Sequence, residues 1–265
     1  MSGVSRLQYT TEMRLVRVMC SGRVDPAFVF RAFLNGMDGV FVGGCLLNEC
    51  KYVTHGNYHA LNMVSLCKRL LEHIGVSPER LRIAFMSSSD GAFVAEVTNE
   101  FVKKVRELGP LGEGEGLDKE ELYSRLKEVA RLIPYIKMAK KEKLAVRLAN
   151  PEEYGQFYTR DEIDALMREV PSYYIDPEKC QACMTCARRC PAEAIISAKN
   201  QIHVIDQEKC IKCGTCLEAC PPRFAAVKKI VGEPVPPPIP EEKRTIVRKR
   251  KEEEISPSEE ALVEG

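Results

Sequence analysis

Ile175–Cys190 reads IDPEKCQACMTCARRC, and Ile205–Cys220, thirty residues on, reads IDQEKCIKCGTCLEAC. Each copy is Cys-x2-Cys-x2-Cys-x3-Cys-Pro, with Cys180, Cys183, Cys186, Cys190 and Pro191 in the first and Cys210, Cys213, Cys216, Cys220 and Pro221 in the second. Three closely spaced thiolates wrap three corners of a four-iron cubane, while a short helix carries the fourth cysteine away to ligate the other cluster. The expected sets are therefore Cys180, Cys183, Cys186 with Cys220, and Cys210, Cys213, Cys216 with Cys190. Structural zinc normally uses two separated cysteine pairs, and disulfides need an oxidising compartment, so both are the weaker readings.

The repeat resembles the bacterial two-cluster ferredoxin fold, a βαβ unit doubled about a pseudo-twofold axis, over roughly Tyr173–Val231. Two four-iron clusters and one-electron transfer are what that resemblance implies. The small residues Ala182, Thr185, Gly214 and Thr215 let the chain close tightly round a cluster, whose sulfides accept backbone hydrogen bonds. Arg188, Arg189, Lys209 and Lys212 lie beside the cysteines and are candidates for a basic docking face or for ordinary solvated surface.

The chain has 265 residues, enough at ~150 per domain for about two folded units. Its 39 basic and 38 acidic residues leave a formal charge of +1, which gives no global reason to bind nucleic acid or an anionic membrane. There is no tryptophan, and with 7% aromatic residues no base-stacking platform stands out. No apolar run approaches the ~18 residues of a membrane span, and Met1–Thr10 lacks the apolar core of a signal peptide, so a soluble cytoplasmic protein is expected.

Upstream of the repeat, strand and helix signals alternate. Arg14–Cys20 is a β-branched run, and Asp25-Pro26 opens a short helix to Leu34. Gly39–Val42 reads as a second strand, about Asn57–Ile74 as a helix, Leu81–Met86 as a third strand and about Ala92–Leu108 as a helix. Short connections between such elements predict an α/β domain with a small parallel sheet flanked by helices, over 1–110. Gly109–Gly116 (GPLGEGEG) reads as a linker, because it lacks the lysine and serine or threonine of a phosphate loop and its glutamates would repel phosphate. Residues 111–171 are expected as a helical linker bridging the halves. Asp118 and Glu121 cap a helix with an apolar stripe of Leu122, Leu126, Val129, Leu132, Ile133 and Ile136, which Pro134 kinks or ends. Thr159 and Glu162 start another. The ferredoxin domain is placed at 172–232, and 233–265, beginning near PVPPPIP, is expected as an extended and then disordered, charge-rich tail in which Lys243–Lys251 is a solvated run.

Four further cysteines lie upstream. Cys20 and Cys45 end predicted parallel strands, where α/β proteins place their sites, and Cys50 follows on the same loop, so the three are candidates for a metal or cluster site. Cys45, Cys50, His55 and His59 also have a zinc-like Cys-x4-Cys-x4-His-x3-His layout. Cys67 shares a helical stripe with Met63, Leu70 and Ile74 and reads as core. His73 and His203 read as surface positions, and Ser87–Asp90 as a helix cap.

GVSRLQY (Gly3–Tyr9), RVMCSGRVDP (Arg17–Pro26), DGVFVGGC (Asp38–Cys45) and the block from Cys50 through Gly56-Asn57-Tyr58 to Leu81 resemble the delta, or iron-sulfur, subunit of methyl-viologen-reducing hydrogenase. The resemblance covers about Ser2–Pro110. It implies a two-iron cluster involving Cys20, Cys45 and Cys50. It also implies an electron-transfer subunit set between a hydrogenase, formate dehydrogenase or other reductase and a flavin-containing subunit like the large heterodisulfide reductase subunit. Relatives carry a further strand and cysteine-bearing stretch before the position of Gly3, and histidine where Lys51 stands. The expectation is that the natural start lies upstream, hidden by a selenocysteine codon read as a stop. No general acid, base or nucleophile stands out, so substrate chemistry is expected on partners. The alternatives are a subunit of a quinone-interacting or aromatic-acyl-CoA reductase complex and, in another class, a redox- or zinc-sensing interaction protein.

Overall fold

The computed structural model describes residues 7–52, 55–87 and 89–246. They divide into two compact units, one ending at Ser172 and one beginning at Tyr173, with Ile211–Gly214 and Val231–Glu233 grouped with the first.

In the first unit, helix α1 (Pro26–Leu34) starts where Asp25 accepts a hydrogen bond from the Ala27 amide and proline occupies the first helical position. Strand β1 (Val40–Gly44) and strand β2 (Leu81–Phe85) flank helix α2 (Gly56–His73) in sequence and pair in parallel, Val40 opposite Leu81 through Gly44 opposite Phe85. Helix α3 (Gly91–Leu108) follows, capped by Asp90 Oδ1, which accepts from the Phe93 amide at 3.1 Å. Parallel pairing with a helical crossover is the architecture expected from the sequence, but among the described residues the sheet holds two of the three expected strands.

The expected first strand, Arg14–Cys20, is not one. The segment pairs with no strand among the described residues and exposes Leu15, Val16 and Met19. β-rich composition makes a strand only when a neighbouring ladder takes up its amides and carbonyls, and here it runs unpaired into a 3-10 turn at Ser21–Arg23.

The helices within residues 111–171 pack into the first unit. Helix α4 (Lys119–Ala139) runs through Pro134 and buries Leu122, Leu126, Val129, Leu132, Ile133 and Ile136 in one core with Phe30, Phe33, Leu66, Leu70 and Leu81. An apolar stripe of that width has no stable solution as a solvated linker. Helices α5 (Lys141–Ala145), α6 (Tyr154–Phe157) and α7 (Arg160–Arg168) complete the unit. Fully buried Asn62 on α2 ties them down, donating to the Lys143 carbonyl at 2.9 Å and the Val146 carbonyl at 3.1 Å while accepting from the Tyr158 hydroxyl at 2.7 Å. His73, expected at the surface, is half-buried against Asp164, with Nδ1 and Oδ1 2.5 Å apart.

Gly109–Gly116, expected as a plain linker, is an ordered loop wound on a buried charge. Arg80, fully buried, donates to the Asp38 carbonyl at 3.0 Å, the Gly109 carbonyl at 2.9 Å and Glu115 Oε2 at 3.0 Å. Gly114 is required there, because a Cβ would meet the Leu108 carbonyl oxygen at 1.8 Å.

In the second unit, strands β3 (Ser172–Ile175), β4 (Ile195–Ile196), β5 (Val204–Ile205) and β6 (Val227–Ile230) alternate with helices α8 (Thr185–Arg189), after β3, and α9 (Thr215–Ala219), after β5. β3 pairs with β6, and β4 pairs antiparallel with β5, Ile195 opposite Ile205. The duplication shows in matched hydrogen bonds: the Asp176 amide donates to Ala226 and the Asp206 amide to Ala194, both at 2.8 Å. Beyond Pro234 the chain makes a 3-10 turn at Glu241–Lys243 and pairs Thr245 with Gln201. The rest of the expected tail, and most of Lys243–Lys251, lies outside the described residues, as do Ser88 and the start of GVSRLQY. Among the described residues, no helix is long and apolar enough to cross a membrane.

Candidate iron-sulfur sites

Among the described residues the twelve cysteines form no disulfide. In the second unit they form part of the core: Cys180, Cys186, Cys210 and Cys216 are buried among Tyr173, Ile175, Ile205 and Val227, and Cys190 and Cys220 pack against them. The chain reaches this arrangement through left-handed residues at matched places in the repeat. Ala182 (φ 51°) corresponds to Lys212 (φ 58°), and Met184 (φ 63°) to Gly214 (φ 80°). Single left-handed residues turn successive amides inward, making a concavity that favours negative charge. Glycine serves this geometry without strain at Gly214, and Met184 adopts it with a side chain. Lys212, a surface candidate by sequence, is buried at 6% exposure and is withdrawn from any basic docking face.

Cys180, Cys183, Cys186 and Cys220 line one cavity, together with Ile175, His203, Pro221 and Phe224. Three of these thiols come from one copy of the repeat and the fourth from the other. The Cys220 sulfur accepts the Ala226 amide and the Cys190 sulfur the Ala194 amide, each at 3.3 Å. Burial, followed by the neighbouring Cys180 and Cys183, pushes the Cys186 thiol up to about 11. For Cys183, burial acts upward but is outweighed by hydrogen bonds from Thr185 and the charge of Arg223, and its thiol is lowered. Cys213 lies in the loop before α9, half-buried.

His203, expected at the surface, is wholly buried. Its Nδ1 lies 3.4 Å from Cys186 Sγ, while Nε2 is buried without a hydrogen-bond partner among the described residues. Burial lowers its pKa. The signal in the sequence is weak: a histidine two residues before the second Ile-Asp, where the first copy has Tyr173.

In the first unit, Cys45 follows β1 and Cys20 precedes the Ser21–Arg23 turn. Cys45 and Cys50 share a hydrogen bond, and Cys20 is near enough to add its charge at Cys45. Burial, then Cys50, raises the Cys45 thiol. Burial also acts upward on Cys50, but the amides of Tyr52, Asn57 and Gly56 and the Cys45 thiol together bring it below its usual value. Two of those amides open α2, whose N-terminus favours a thiolate. Gly56 is the close approach that makes room: a Cβ there would lie 2.4 Å from Cys20 Sγ. Fully buried Asn57 braces the loop, donating to the Leu46 carbonyl at 2.7 Å and reaching Cys45 Sγ at 3.8 Å.

The zinc-like layout fares differently. His55 caps α2 in a left-handed conformation (φ 48°), and His59 is exposed. Among the described residues, no three His, Cys, Asp or Glu side chains are arranged to hold one ion. A single zinc needs that convergence, whereas the ligands of an iron-sulfur cluster are spread over separate irons. The donor chemistry, thiols ringed by inward amides, suits clusters. Cys67 is core as expected, with burial raising its thiol and Met63 Sδ 3.5 Å away.

One prediction arises from the contrast between Cys45 and Cys50. In cluster-free protein, a limiting alkylating reagent at neutral pH will label Cys50 ahead of Cys45, because the thiolate is the nucleophile and more of it is present at Cys50. Peptide mass mapping against time reads the order, and equal rates would contradict the geometry.

Residues 1–109 match the family model described as methyl-viologen-reducing hydrogenase, delta subunit, and residues 172–221 match the 4Fe-4S dicluster domain. The iron-sulfur subunit of the F420-non-reducing hydrogenase of Archaeoglobus profundus is 47% identical over 110 residues, which are 42% of this chain and 80% of that protein. The corresponding vhu iron-sulfur subunit of Methanococcus maripaludis is 40% identical over 110 residues, 81% of its length. A component of the ferredoxin/F420H2-dependent CoB-CoM heterodisulfide reductase of Methanosarcina acetivorans is 43% identical over 112 residues, and the chain spans only 14% of that relative's length. These matches and the thiol-lined folds agree. The chain belongs to the methyl-viologen-reducing hydrogenase delta-subunit family and carries in addition a 4Fe-4S dicluster domain.

Proposed function

We propose that this chain is the electron-transfer iron-sulfur subunit of a multi-subunit oxidoreductase of the hydrogenase and heterodisulfide reductase kind, working in the cytoplasm. Cys180, Cys183, Cys186 and Cys220 hold one four-iron cluster, and Cys210, Cys213, Cys216 and Cys190 hold the other. Cys20, Cys45 and Cys50 supply thiolates to a two-iron cluster in the first unit. Such clusters accept and release single electrons, with potentials set by solvation and by hydrogen bonds to sulfur. The observation that carries the reading is the cavity ringed by thiols from both copies of the repeat.

What the protein contributes is a low-dielectric shell and fixed amides. The Ala194 and Ala226 amides face sulfur, and the left-handed turns at Ala182, Met184, Lys212 and Gly214 hold the loops open to a charged group. The first unit joins the wire to its neighbours: a donor hydrogenase, formate dehydrogenase or other reductase, and a flavin-containing acceptor of the heterodisulfide reductase type. Electron flow in the opposite sense uses the same parts. Substrate chemistry resides on those partners.

Iron and acid-labile sulfide per chain, measured after anaerobic purification, test this together with electron paramagnetic resonance on graded reduction. About eight irons as two four-iron clusters are expected, and about ten where the two-iron cluster is retained. Zinc at about one per chain with little iron would overturn the reading. In the same assay Gly56→Ala, which drives a methyl into Cys20 Sγ, is expected to abolish the two-iron signal and leave the four-iron signals intact.

A further inference from the structure

Fully buried His203 stands outside the ligand set, yet its Nδ1 is 3.4 Å from Cys186 Sγ on the wall of the cavity shared by Cys180, Cys183, Cys186 and Cys220. Its other nitrogen has no partner among the described residues. We infer that His203 is a redox-positioning residue: its Nδ1–H donates a hydrogen bond to the Cys186 thiolate and raises the reduction potential of this cluster selectively. The inference rests on the cluster reading given above.

The tautomer follows from the surroundings. A cysteine bound to iron has no proton to give, so its sulfur only accepts. If the proton sat on Nε2, a donor would be buried unsatisfied and the Nδ1 lone pair would face a thiolate, two unfavourable terms at once. With the proton on Nδ1, the polar contact of the ring among the described residues is attractive, and what stays unpaired there is an acceptor.

The redox effect has a simple origin. Adding one electron to the cluster places further negative charge on its thiolate and sulfide sulfurs, and a donor held against one of them stabilises the reduced state more than the oxidised one. In a buried site this interaction is little screened. The repeat supplies a built-in comparison, since the place of His203 in the second copy is taken by Tyr173 in the first. A phenol and an imidazole thus stand at equivalent positions of a nearly symmetric unit, which makes the two halves chemically unequal without altering the cysteine spacing.

The test uses the full-length chain loaded with iron and the variant His203→Phe, which keeps an aromatic ring and removes the N–H donor. Each is titrated with dithionite under redox mediators and followed by electron paramagnetic resonance. Signals are assigned to the two clusters by comparison with Cys220→Ala, which lacks a ligand of the His203 cluster. A lost hydrogen bond to a charged acceptor changes the reduced-to-oxidised ratio at fixed poise about tenfold, a fall of ~59 mV for one electron. The expected result is that fall in one cluster, with the other unmoved and iron unchanged at about eight atoms. A second measurement needs no variant: with 15N-histidine incorporated, the reduced protein shows a weak nitrogen coupling to the His203 cluster. Eight irons with unmoved potentials, equal shifts in both clusters, or no nitrogen coupling would each overturn the inference while leaving the cluster reading intact. Little iron in the unaltered chain would overturn both.

Discussion

Cys220→Ala will remove the cluster associated with the first copy of the repeat, although Cys220 belongs to the second. Cys220 lines the cavity with Cys180, Cys183 and Cys186, and its sulfur is steadied by the Ala226 amide. Alanine removes the ligand sulfur and adds no atom to the cavity. Iron should drop from about eight to about four atoms per chain, and one of two four-iron signals should vanish. Cys190→Ala should remove the complementary signal, so the two variants distinguish cross-ligation from ligation within each copy. If Cys220→Ala instead removed the signal that Cys210→Ala removes, the cross-copy assignment would be wrong.

The second large effect concerns a buried ion pair. Arg80 is fully buried, Glu115 is 9% exposed, and their closest approach is 2.5 Å. The guanidinium is also capped by the carbonyls of Asp38, Leu108, Gly109 and Pro110. Removing one partner leaves the other charge buried, at a cost of about 3–5 kcal/mol, which is a large part of a domain's stability. Glu115→Gln and Arg80→Leu should therefore lower the urea midpoint of the full chain sharply, read by circular dichroism. A double replacement by apolar residues should recover much of the loss.

The same pair gives a pH dependence. Burial alone would raise the Glu115 carboxyl, but Arg80 and the amides of Ser77 and Gly112 hold it below the usual 4.5. A depressed folded pKa contributes stability above the unfolded value that is lost as pH falls through the folded one. Acid should thus destabilise the natural chain below about pH 4.5 more steeply than Glu115→Gln. Parallel acid profiles for the two would remove Glu115 from the account.

Much of this was legible in the sequence because the signals are local. Asp25, Asp90, Asp118 and Thr159 cap the helices that follow them, since a cap is settled within three residues. The apolar stripe from Leu122 to Ile136 announced a helix, and the Cys-x2-Cys-x2-Cys-x3-Cys spacing announced a cluster-binding loop, because both depend on neighbours a few residues apart.

What only the tertiary structure decided involves partners distant in the chain. That Arg14–Cys20 finds no ladder among the described residues, that α4 closes a core, and that GPLGEGEG winds round Arg80 each depend on what lies alongside in space. Arg80 and Glu115 are 35 residues apart, and His203 and Cys186 are 17. Periodicity tells which face of an element is apolar, but whether a charged or polar side chain is buried depends on partners that satisfy its hydrogen bonds, and those are supplied by the fold.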